Sequence, residues 1–123
     1  MENKEKTKEF KKRLYRFVLR LIKFVEGLKE NRITRILSDQ LIRSGTSILG
    51  NYIEAQASSS RKDYINFFNH SLKSANESKV WVAILKDCHY ADEKESFWLL
   101  EELNEISKIF ASSILTLKGK RNI

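Results

Sequence analysis

Not one proline interrupts the 123 residues, and only 4 of them are glycine. Sheets and α/β layers need frequent reversals, which those two residues supply. A chain so poor in punctuation is therefore confined to long helices with few connectors. Four stretches meet that demand, over about residues 7–28, 34–57, 61–89 and 93–118. In the first, Phe10, Leu14, Phe17, Val18, Leu21, Phe24, Val25 and Leu28 recur every three or four residues and make one apolar helix face. Thr34 is the expected cap of the second helix, Ser60 with Asp63 of the third, and Asp92 with Glu95 of the fourth, with Gly119 as the final stop. The turns "KENRIT" and "SSS" are so short that consecutive helices must run antiparallel. The expected fold is all-α: a single domain over residues 1–123, built as an up-down-up-down four-helix bundle.

The second helix carries an unusual arrangement. Leu37, Leu41, Ile48, Tyr52 and Ala55 make its core arc, and Gln40, Ser44, Ser47, Asn51 and Glu54 fill the arc beside it. Ile42, Leu49 and Ile53 form another apolar stripe nearly opposite the core. A bundle helix needs only one apolar face, so this stripe predicts burial against another subunit. In the third helix Tyr64, Phe67, Phe68, Val82 and Leu85 face inward, and the small Ser71, Ala75 and Ser78 permit close approach to the Ser44–Ser47 side. An unpaired buried amide or carboxylate costs about 1–3 kcal/mol. The expectation is thus a satisfied inter-helix network of Gln40, Arg43, Ser47, Asn51, Glu54 and Glu77 that sets register and partner.

Charge is divided unevenly along the chain. Residues 1–35 carry 12 Lys and Arg against 5 Glu, a net +7, whereas residues 36–123 carry 11 basic against 11 acidic side chains. Lys12, Arg13, Arg16, Arg20 and Lys23 recur at helical spacing away from the first helix's apolar face. Such a stripe suits contact with RNA or another polyanion, and Tyr15 is its best-placed side chain for base stacking. It equally suits the acidic first half of the fourth helix, Glu93, Glu95, Glu101, Glu102 and Glu105, on a neighbouring subunit. The second reading makes the protein a structural or interaction scaffold, for example an accessory subunit of a larger complex. A membrane role is disfavoured, because the bundle needs the first helix's apolar face for its own core.

Patterns that carry catalysis are missing. There is no H-E-x-x-H, no P-loop and no dinucleotide glycine fingerprint. Neither Glu54 nor Glu77 is followed three residues on by the histidine that a di-iron bundle requires. Cys88 and His89 are sequence neighbours and point about 100° apart on a helix, a poor geometry for a nucleophile and its base. Cys88 reads as a small hydrophobe and His89 as a partly buried polar tip. The sequence therefore predicts a non-enzyme, with no catalytic residue, cofactor, metal or small-molecule substrate. A single cysteine and the charged opening "MENKEKTKEFKK" suggest a cytoplasmic chain.

The stretch from Leu37 to Tyr90 resembles the bacterial 23S rRNA intervening-sequence protein family. That family's helix pattern Q-L-x-R-[AS]-x-x-S-I-x-x-N-x-x-E-[AG] is matched by Gln40, Leu41, Arg43, Ser44, Ser47, Ile48, Asn51, Glu54 and Ala55. A serine- and lysine-rich turn then leads into a helix with Phe68, Leu72, Ala75 and an offset Glu77. The resemblance implies a four-helix bundle assembled as a homo-oligomeric ring, typically a pentamer, with no established catalytic residue. It also implies a setting near ribosomal RNA, since some family genes lie within insertions of large-subunit rRNA genes. A related branch serves diversity-generating retroelements and looks like a basic barrel that binds reverse transcriptase and nucleic acid. Gly45 and Gly50 within the second helix, and the strongly basic first helix, depart from the family pattern.

Overall fold

Every helix begins at a side chain that satisfies the free N–H groups of its first turn. In the computed structural model, which describes residues 3–119, Asn3 accepts from the N–H groups of Glu5 and Lys6 and opens α1, Lys4–Glu26. α2 spans Arg32–Ala57, and its cap is Asn31, one turn ahead of the expected Thr34. Thr34 instead completes a capping box: its N–H donates to Asn31 Oδ1, and its hydroxyl oxygen accepts from the Asn31 N–H. Both residue types cap well, so the sequence alone offers two adjacent starts. α3, Arg61–Asp87, and α4, Glu93–Leu117, open at Ser60 and Asp92, which accept from the N–H groups of Asp63 and Glu95.

α3 ends two residues earlier than expected. His89 adopts φ 61°, in the left-handed region, and a Schellman closure follows: Tyr90 N–H donates to Leu85 O and His89 N–H to Lys86 O. This places both Cys88 and His89 in solvent, not among apolar neighbours. Gly119, with φ 70°, closes α4 as its position in the sequence indicates.

The four helices form a bundle, and the described residues contain no strand. One aromatic ring from each helix meets near the centre: Phe10, Tyr52, Phe68 and Phe110, with neighbouring centroids 5.1–5.6 Å apart. Leu14, Leu21, Leu41, Ile48, Leu85, Leu99, Leu103 and Ile106 extend this core along the bundle and are excluded from water. The α2–α3 pairing is the most extensive and α1–α4 the sparsest. Lys29 N–H donates to Tyr90 O at 3.0 Å, joining the α1–α2 and α3–α4 connectors. The Arg61 guanidinium, beside the α2–α3 connector, donates to Leu117 O at the end of α4. Tyr52 Oη, late in α2, reaches Thr7 O, early in α1, at 3.4 Å.

Gly45 explains how α1 settles on α2. A Cβ at that position would lie 2.2 Å from Leu21 Cδ2, so the leucine occupies the space a larger residue would fill. Among the described residues, no helix is long and apolar enough to cross a membrane.

Candidate functional site

The α2–α3 seam is closed mainly by serines. Ser44 and Ser78, both buried, share a hydrogen bond of 2.8 Å between their hydroxyls. Ser71 Oγ donates to Ile48 O at 2.9 Å, and Ser74 Oγ donates to Ser47 Oγ at 3.0 Å. Asn51 turns back on its own helix, donating from Nδ2 to Ser47 O and Ser47 Oγ. Nearer solvent, Arg43 Nη2 bridges Gln40 Oε1 at 2.8 Å and Glu77 Oε2 at 3.0 Å, and Trp81 Nε1 donates to the same Glu77 oxygen. Five of the six expected network residues are thus placed at this seam, in two separate groups. Glu54 is the exception. It is exposed and, among the described residues, has no hydrogen bond or ion pair. The bonds that cross the seam come chiefly from Ser71, Ser74 and Ser78. All buried polar side-chain atoms among the described residues are satisfied.

The basic stripe divides in two. Arg13 holds Glu102 through two parallel bonds, Nε to Oε2 at 2.9 Å and Nη2 to Oε1 at 2.8 Å. Arg20 holds Glu95 in the same forked manner, at 3.0 Å twice, with its guanidinium carbon 3.8 Å from the centre of the Trp98 ring. The Glu102 hydrogen bonds push the Arg13 pKa further up, against a smaller opposing effect of burial. Hydrogen bonding likewise raises Arg20 and holds the Glu95 carboxyl below the usual carboxylate range. These pairs join α1 to α4 of the same chain. The α1–α4 charge match therefore needs no neighbouring subunit. Lys12 and Lys23 lie only loosely near Glu9 and Glu26, each at 3.8 Å, and both are well exposed. Arg16 has no hydrogen bond or ion pair among the described residues and faces outward.

Ile42, Leu49 and Ile53 do not lie opposite the core. Each falls about 100° from a core residue, so the three flank the α1–α2 boundary. Leu49 is half-buried against the core, while Ile42 and Ile53 remain 37% and 40% exposed. α1 contributes three further partly exposed apolar residues, Tyr15, Leu19 and Ile22, at 56%, 47% and 39% exposure, of which the sequence singled out only Tyr15. Their i, i+4, i+7 spacing was legible, but the surrounding lysines and arginines hid it. Between the helices lies an open groove of about 540 Å³ lined by Lys8, Lys11, Lys12, Tyr15, Arg16, Leu49 and Ile53. The expected cation stripe and the expected apolar stripe thus meet in one place. Among the described residues, no group of three or more His, Cys, Asp or Glu is placed to hold a metal ion.

An all-helical fold with a serine-closed seam and a cationic, partly apolar first helix sets the class as a four-helix bundle. The chain belongs to the 23S rRNA-intervening sequence protein family, whose profile matches residues 6–112. The match reaches through α1 and most of α4, well beyond the stretch where the motif is conspicuous. Among solved structures the chain is similar to a protein of unknown function from the S23 ribosomal protein family of Bacteroides thetaiotaomicron. The two share 33% identity with a TM-score of 0.77, covering 85% of this chain and 96% of that one. No curated protein matches the chain.

Proposed function

We propose that the protein is a non-enzymatic, homo-oligomeric bundle that contacts RNA or a similar polyanion through its first helix. Its helices run up-down-up-down. That topology is supported by the cross-ties between opposite connectors and by Arg13 and Arg20 meeting Glu102 and Glu95 in reversed order along α4. A ring, with a pentamer favoured, is the assembly that the family resemblance implies. Leu19, Ile22 and Ile42 are apolar side chains left partly exposed in the single chain, as a subunit interface requires. The cytoplasm, where RNA is at hand, is the compartment that fits this reading.

The observation that carries the polyanion contact is the cation cluster left over after internal pairing. Lys8, Lys11 and Arg16 have no partner among the described residues, and Lys12 has only a loose one. One observation favours a pure scaffold instead: Arg13 and Arg20, the two cations of the stripe with forked carboxylate bonds, are already neutralised by α4.

Light scattering on the purified protein, followed by gel-shift titration with unrelated RNAs across a salt series, separates the two. A homo-oligomer whose RNA affinity falls steeply with salt is the expected result. A monomer removes the assembly. An oligomer that retards no RNA at low ionic strength leaves the scaffold alone standing.

A further inference from the structure

Tyr15 is the most exposed large hydrophobic residue among those described, and its ring has no aromatic partner among them. An aromatic ring left in water beside apolar Leu49 and Ile53 is open for a planar ligand to cover. The walls offer almost no hydrogen-bonding groups apart from the cationic tips at the rim: Lys8, Lys11, Lys12 and Arg16. A ligand suited to this site has flat faces for the floor and regularly spaced negative charges for the rim.

We propose that the groove between α1 and α2 binds single-stranded RNA, with a base stacked on Tyr15 and adjoining phosphates on Lys8, Lys11, Lys12 and Arg16. This rests on the polyanion reading above and narrows it to unpaired strands. Lys8, Lys12 and Arg16 follow at four-residue intervals, so they extend about 12 Å along α1 at 1.5 Å per residue. That length accommodates a short run of nucleotides of an unpaired strand. A duplex keeps its base faces stacked on one another and has nothing to place on Tyr15, Leu49 and Ile53. Only unpaired strands use both halves of the groove. Of the floor residues Tyr15, Leu49 and Ile53 only Tyr15 carries a side-chain donor or acceptor, so base edges are little read and binding tolerates most sequences.

The test uses the full chain and two labelled RNAs of equal phosphate count, oligouridylate and a blunt-ended duplex of two separate strands, in fluorescence anisotropy over a salt series. The expected result is tighter binding of the single strand by about tenfold or more. Tyr15→Ala is expected to weaken single-strand binding by roughly 5- to 100-fold with the salt slope unchanged. Tyr15→Phe, which keeps the ring, is expected to restore it, and duplex binding is expected to move little in either variant. Replacing Lys8, Lys11 and Lys12 together with Ala is expected to weaken both RNAs and flatten the salt slope. Equal affinity for both RNAs with no effect of Tyr15→Ala overturns the site while leaving a general polyanion surface in place. Loss of the oligomer in Tyr15→Ala, read by light scattering, reassigns the groove to a subunit interface and overturns it too. Absence of binding by either RNA at low salt removes the polyanion reading itself.

Discussion

Gly45 and Gly50 sit five residues apart in the same helix and have opposite meanings. At Gly50 an added Cβ meets nothing within 4 Å, so only the intrinsic helix penalty of glycine is at stake. Gly50→Ala is expected to raise stability by about 0.8–1 kcal/mol. At Gly45 the same substitution drives into the side chain of Leu21, which is fully buried. Overpacking of this kind costs about 1–3 kcal/mol and cancels or exceeds the gain. Paired urea titrations should find Gly50→Ala more stable than the parent and Gly45→Ala no better or worse. Equal gains at both sites would show that α1 does not need the space at Gly45. Two glycines look alike in the sequence; their packing separates them. The same holds for Glu54 and Glu77, of which only the second meets a partner, Arg43.

At the level of helices, capping, stripe periodicity and the close approach of α2 and α3 were legible, and the closure of α1 on α4 was not. Asp92, Ser60 and Gly119 perform the roles their spacing indicates. Whether the basic α1 and acidic α4 would meet within one chain or between two depends on how the bundle closes, which local sequence does not encode. Two forked bonds answer that, and they predict a pH effect. Glu95 has its pKa lowered, first by hydrogen bonds from Arg20. A carboxylate whose folded pKa is depressed adds stability above its unfolded pKa, and that stability is lost as pH falls through the folded value. Glu95→Gln is therefore expected to melt slightly below the parent near neutral pH, with the two curves converging below about pH 4, under the ordinary carboxylate range. Both side chains are solvent-accessible, so added salt should narrow the gap as well. A gap that stays constant with pH and salt would show that the pair does not act through charge.

For the molecule as a whole, the meeting of Phe10, Tyr52, Phe68 and Phe110 ties all four helices to one centre. Phe110 is fully buried there. Phe110→Ala is expected to cost about 3–5 kcal/mol. In the parent protein, circular dichroism and the fluorescence of Trp81 and Trp98 should report one coincident unfolding transition. Separate transitions would mean that the α3–α4 half unfolds on its own. By itself the sequence determined the number of helices, their approximate limits, the core face of the first three and the uneven placement of charge. These follow from residue spacing and from the absence of proline, both local properties. Only the tertiary structure decided which cations stay free, which serines cross the seam, and that Tyr15 faces solvent beside Leu49 and Ile53. Those outcomes depend on the rotation of each helix against its neighbours, which is set by the packing of all four at once.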